Sequence, residues 1–192
     1  MLRKLYDKTM ALGASRQATP ALCCVSFAES SFFPIPPDLL LVPMVLAKRE
    51  RWWVYAALCT IASVLGGVAG YLIGALLFHS IAEPILAFYG YADKFAEFTE
   101  RFNEYGAWIV FIAGVTPFPY KVITIASGAS GLAFPVFFIA SILSRGLRFF
   151  IVAGLLYVFG PPIRAFVERR LAFVIGVVAI LGIGGFLLVK FL

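Results

Sequence analysis

Apolar runs fill most of the chain, and short polar or proline-rich interruptions divide them. Residues 52–78 and 134–159 are apolar for long enough to cross a bilayer core, which takes about 20 helical residues. Two other apolar stretches, 18–47 and 106–132, are broken at their centres. The first carries Pro34, Pro36 and Pro37 within FAESSFFPIPPDLLLVP, and the second carries Pro117 and Pro119 within TPFPYK. A proline removes a backbone hydrogen bond and clashes with the preceding turn, so neither stretch is expected to run through as one helix. Each arm is too short to span by itself, and broken backbone is tolerated at membrane depth only when buried or facing a wet cavity. Both stretches are therefore predicted to be re-entrant hairpins.

The polar interruptions have patterns of their own. Residues 1–17 interleave Arg3, Lys4, Lys8 and Arg16 with Leu2, Leu5, Tyr6, Met10 and Leu12, which suits an amphipathic helix on an anionic leaflet. Residues 79–105 hold Glu83, Asp93, Glu97, Glu100 and Glu104, with Phe95, Phe98, Phe102 and Tyr105 at helical spacing, and are predicted to form a second interfacial helix. Residues 160–192 comprise a link around Pro161 and Pro162 and a final span from 171 onward. Gly66, Gly70 and Gly74 recur every four residues in the first crossing helix, a smooth stripe that admits another backbone in lipid and offers a homodimer surface.

Composition narrows the class. A chain of 192 residues that is 62% hydrophobic and 14% charged has more apolar surface than a soluble domain of its size can bury, so this is an all-α integral membrane protein. The net charge of +6 comes from short basic clusters between apolar runs, which favours membrane orientation over nucleic-acid binding. If both hairpins return to the side they enter from, residues 1–17, 48–51 and 160–170 share one face. That face then holds ten Lys and Arg, against Lys94 and Arg101 in the segment on the other, placing the N-terminus in the cytoplasm. Cys23, Cys24 and Cys59 have no metal-type spacing, and no cofactor or cleavable signal peptide is expected.

Sliding the chain by 83 positions lays Pro34-Ile35-Pro36 on Pro117-Phe118-Pro119 and Asp38 on Lys121. Each half would then be a broken hairpin followed by a crossing helix, with the two halves in opposite orientation, the plan of many secondary transporters. In that arrangement Asp38 and Lys121 approach each other near mid-depth. Glu29 and Asp38 flank the first break, and an ionisable residue in such a place marks a functional site by default. Arg145 and Arg148 add two cations inside the second crossing helix.

Over roughly residues 20–160 the chain resembles the DedA family, bacterial members of the group carrying the VTT or "SNARE-associated Golgi protein" domain, in its YqaA-like branch. Glu29, the Phe33-Pro34-Ile35-Pro36 break and Asp38 look like that family's first hairpin, and Gly66-Gly67 through Tyr71 and Gly74 look like its glycine-rich helix. Gly67 stands where an acid is usual, Gly114 and Lys121 stand where two arginines are common, and Arg145 and Arg148 are candidates for the missing positive charge. The resemblance implies lipid transport or scrambling in a bacterial inner membrane, including polyprenyl phosphate recycling, with dependence on proton-motive force. On that basis Lys121, Arg145 and Arg148 are expected to bind a headgroup phosphate, and Glu29 and Asp38 to carry a proton or gate the site. A solute or ion exporter and a membrane assembly protein are the alternatives. An enzyme is disfavoured, because His79 is the only histidine and no nucleophile has a base at recognisable spacing.

Overall fold

A computed structural model describes residues 17–33, 36–78, 83–88, 90, 92–116 and 118–169. The expected N-terminal amphipathic helix, the span from 171, and Pro34, His79 and Pro117 lie outside these residues. Among the described residues the structure is all-helical. Its helices are α1 (Ala18–Ser31), α2 (Asp38–Ala47), α3 (Trp52–Leu77), α4 (Glu83–Phe88), α5 (Ala92–Val115), α6 (Tyr120–Ala129) and α7 (Phe134–Arg169), with a 3-10 turn at Arg49–Arg51.

Local chemistry sets the helix ends beside the two breaks. Helix α1 stops where the Phe32 and Phe33 amides both turn back to the Ala28 carbonyl, just ahead of the prolines. Pro37 has φ −65°, already helical, so α2 starts immediately after it with Asp38 in the first turn facing the positive end of the helix dipole. Pro119 fills the same position before α6. The turn that ends α6 passes through Gly131, whose φ of +66° favours a residue without a side chain, and the Leu132 amide closes the turn on the Ser127 carbonyl.

The chain doubles back twice. Ala18 and Leu22 at the start of α1 share one apolar core with Leu41, Met44 and Val45 of α2, Tyr55, Ala56 and Cys59 of α3, and Phe149, Ala153 and Leu156 of α7. At the second fold-back Leu132 lies against Gly106, and Asn103 donates to the Ser130 carbonyl at 2.9 Å. Phe102, Val110, Tyr120, Leu132, Phe137 and Ala140 make the second core there.

Helices α3 and α7 run antiparallel. Trp52 stacks on Tyr157 at 5.6 Å, whereas Tyr71, further along α3, meets Phe134 and Phe137 at the start of α7. The two helices, within Arg49–Leu77 and Phe134–Gly160, are long and apolar enough to cross a membrane. Their outward faces expose Ile61, Leu65, Leu72 and Leu76 on α3 and Ile139, Leu143, Ile151 and Leu155 on α7, a surface suited to lipid.

Helix α3 is the hub, packed against α1, α6 and α7. The glycine stripe makes this possible. A methyl group at Gly66 would overlap the Phe27 carbonyl of α1, one at Gly74 the Ile125 carbonyl of α6, and one at Gly70 the Thr124 hydroxyl. Gly128 of α6 returns the contact on the Tyr71 carbonyl. The stripe is thus consumed inside the chain and does not provide the dimer surface expected of it.

Two helix boundaries differ from the sequence pattern. Helix α5 runs unbroken through residues 105 and 106, because a single glycine costs a helix only about 1 kcal/mol and Leu132 covers Gly106. Helix α7 continues past Pro161 and Pro162 to Arg169, where a link is expected. Pro161 has no amide to give the Tyr157 carbonyl four residues earlier, and the Arg49 guanidinium donates to that carbonyl instead.

Candidate functional site

The two proline breaks meet. Pro36 and Pro37 from the first, and Phe118 and Pro119 from the second, line one cavity of about 230 Å³ together with Glu29, Lys121 and Arg148. Helices α1, α2, α6 and α7 all reach it, so residues far apart in sequence become neighbours.

Each carboxylate is held by an arginine of α7. Arg145 Nη2 donates to Glu29 Oε2 at 2.6 Å, and Arg148 Nη2 to Asp38 Oδ2 at 2.8 Å. The two arginines are three residues apart on one helix face, which lets one helix serve acids on both sides of the first break. Arg148 also reaches the Thr116 carbonyl at 3.3 Å, where α5 gives way to the second break.

The environments of the two pairs differ. Arg145 is wholly buried, its guanidinium lying 4.7 Å from the Tyr120 ring centre and 4.8 Å from that of Phe149. Its Nε donates to Ser63 Oγ at 2.6 Å, Ser63 bonds Ser30 Oγ at 2.7 Å, and Ser30 bonds Glu29 Oε2 at 3.1 Å. These hydrogen bonds close a ring around the salt bridge and offset part of its desolvation cost, while the buried Arg145 Nη1 has no hydrogen-bond partner among the described residues. The Asp38–Arg148 pair is looser: the Asp38 side chain is 30% exposed, and its Oδ1 has no hydrogen-bond partner among the described residues.

The structure therefore rearranges the partnerships expected from sequence. Asp38 pairs with Arg148 and not with Lys121, because α7 passes closer to the start of α2 than α6 does. Lys121 stands on the cavity wall, and among the described residues no carboxylate lies within ion-pair distance of it. Arg145 sits behind Glu29, enclosed by two rings, and so is not placed to touch a headgroup as expected. Pro36, Pro37 and Pro119 form part of the wall, whereas Pro34 and Pro117 lie outside the described residues.

Sequence reasoning missed the serines that organise this region. Ser26 donates to the Cys59 carbonyl at 2.8 Å and Ser31 to the Gly66 carbonyl at 3.0 Å, so with Ser30–Ser63 they form a polar seam between α1 and α3. The available signal was a run of small hydroxyl residues spaced by a helical turn beside a glycine stripe, an arrangement that bonds helices in lipid.

Comparison with known proteins agrees with the earlier resemblance at family level. The VTT domain matches residues 35–158, a span that includes α2, α3, α5, α6 and most of α7. An uncharacterized protein of Haemophilus influenzae is 37% identical over 97% of this chain and 96% of its own length. One from Histophilus somni is likewise 37% identical, over 97% of both chains. A shorter match, 27% identical over 65% of this chain and 74% of the relative, is to an uncharacterized protein of Methanocaldococcus jannaschii. No solved structure matches. With a domain match over most of its described length and two relatives similar from end to end, the chain is a membrane protein that belongs to the VTT domain family.

Proposed function

We propose that this protein moves a lipid or lipid-linked phosphate, such as a phospholipid or a polyprenyl phosphate, across the bacterial inner membrane without a cofactor. The observation that carries this reading is the cavity shared by both chain breaks, where Lys121, a cation with no ion pair among the described residues, stands beside two carboxylate–arginine pairs. A lipid mover must give a charged headgroup a polar path through about 30 Å of hydrocarbon while the tails stay outside. Exposed Phe32, Phe33 and Leu39 at the first break and Val122 beside the second give the site an apolar flank on which tails can lie. This flank favours lipid over a water-soluble solute.

In this reading Lys121 and Arg148 receive the phosphate, Arg148 exchanging its Asp38 contact for a phosphate oxygen, and Arg145 holds Glu29 in position. Glu29 and Asp38 take up a proton or gate the site as these pairs open. The two fold-backs act as re-entrant hairpins of an inverted repeat. That view is supported by the packing, since α1 lies on α3 as α5 lies on α7, and α6 lies on α3 as α2 lies on α7. The basic turn at 48–51 reaches the far end of α7 through Arg49 and Tyr157, which supports placing both on the cytoplasmic face with the N-terminus.

Flux of labelled lipid in reconstituted vesicles tests the assignment. Lys121→Ala and Arg148→Ala are expected to slow movement at least about tenfold, the rate equivalent of losing one charge-assisted contact of about 1.5–3 kcal/mol. Parental rates in both folded variants would overturn the reading.

A further inference from the structure

We infer that Lys121 sets the charge this site accepts, one negative charge per headgroup, so that its substrate class is the phosphodiester monoanion rather than the phosphomonoester dianion. The inference rests on the lipid-transport reading above and narrows it to phospholipid-type diesters, with a monoester such as polyprenyl phosphate admitted on equal terms only in its singly charged form.

Among the described residues, five charged side chains surround the cavity. Around the cavity, α1 contributes Glu29, α2 Asp38, α6 Lys121, and α7 Arg145 and Arg148. Helices α3 and α5 offer only neutral groups there, the Ser63 hydroxyl and the Thr116 carbonyl, and Tyr120 of α6 presents its ring to Arg145. Three cations therefore face two carboxylates. Both carboxylates are already neutralised by arginine, which leaves the Lys121 ammonium as the uncompensated charge at the cavity among the described residues that line it.

A cavity of about 230 Å³ is smaller than sites that enclose whole ligands, roughly 300 Å³ and above, so it holds a headgroup and little more. One phosphodiester, with one negative charge, balances Lys121. A phosphomonoester at pH 8 brings a second negative charge, because its second ionisation lies near pH 6. That extra charge meets Glu29 on the same wall with no free cation to offset it, and like charges a few ångströms apart in a partly enclosed site repel. A monoester can enter on equal terms only after it, or a site carboxylate, has taken up one proton.

The test uses the full chain in vesicles with two labelled lipids of identical tails, phosphatidylglycerol as the diester and phosphatidic acid as the monoester. Soluble glycerophosphoglycerol, trapped inside, separates a lipid source of the phosphodiester from a free one. At pH 8 the diester lipid is expected to move about tenfold faster or more, and at pH 5 the two rates should converge. Asp38→Asn leaves a second uncompensated cation and should shift the ratio toward the monoester by about tenfold at pH 8. Lys121→Gln should slow both lipids and widen the ratio in favour of the diester, because the site then has no net positive charge to set against a second negative one, while Lys121→Arg preserves it. Circular dichroism and gel filtration verify the fold of each variant.

Equal diester and monoester rates at pH 8, or a ratio that ignores both Asp38→Asn and Lys121→Gln, overturn the charge rule and leave lipid transport standing. Movement of neither lipid above protein-free vesicles, or escape of the soluble diester alone, overturns lipid transport itself.

Discussion

Removing the charge of Glu29 separates the two ion pairs of the site by their environments. In Glu29→Gln the buried Arg145 guanidinium keeps its hydrogen bond to Ser63 and its contacts with the Tyr120 and Phe149 rings but has lost its counter-ion. With Arg145 at 0% and Glu29 at 14% side-chain exposure, the loss approaches the full penalty for orphaning a buried charge, about 3–5 kcal/mol. Asp38→Asn breaks a pair that is 16% and 30% exposed, where water takes over much of the solvation, and about 1 kcal/mol is expected. For a chain of this length about 2–4 °C of Tm accompanies each kcal/mol, so the two substitutions should lower Tm by about 10 °C and about 3 °C respectively. Thermal unfolding in detergent, followed by tryptophan fluorescence, reads both. The double change Glu29→Gln with Arg145→Met should recover most of the lost stability, because it removes the stranded charge and leaves an apolar side chain between two aromatic rings. If Glu29→Gln costs no more than Asp38→Asn, or if the double variant is as unstable as the single one, the buried ring of hydrogen bonds is not what holds α1 to α7.

Three further outcomes follow from the packing. Gly74→Ala should destabilise by about 1–3 kcal/mol, since its methyl meets the backbone of α6, whereas Gly146→Ala, whose methyl would sit 3.8 Å from Thr60 Cγ2, should be neutral or slightly stabilising; unfolding midpoints compare the two. Arg49→Met leaves the Tyr157 carbonyl without a donor, so amide exchange in α7 around residues 157–160 should quicken and stability fall by about 1–2 kcal/mol. Gly131→Ala forces a side chain into φ +66° and should cost about 1–2 kcal/mol, whereas Gly131→Asn should cost less, a ranking that unfolding curves decide.

What the sequence determined by itself is local or additive. Proline chemistry placed the breaks at 34–37 and 117–119, apolar length picked out α3 and α7, and excess hydrophobic composition excluded a soluble domain. The glycine period marked the face of α3 on which other backbones lie. Each of these follows from covalent geometry or from summed transfer free energy, neither of which needs to know where the rest of the chain goes.

Only the tertiary structure decided which charges are partners. Symmetry between the halves suggested Asp38 with Lys121, but the crossing of α7 behind both breaks gave Asp38 to Arg148 and Glu29 to Arg145, and left Lys121 on the cavity wall without an ion pair among the described residues. The same crossing enclosed Arg145 between Tyr120 and Phe149, and the glycine stripe closed on α1 and α6 instead of on a second copy. Coulomb attraction is set by distance and surroundings, and for groups more than a hundred residues apart both are fixed by how the helices cross, which no local pattern encodes.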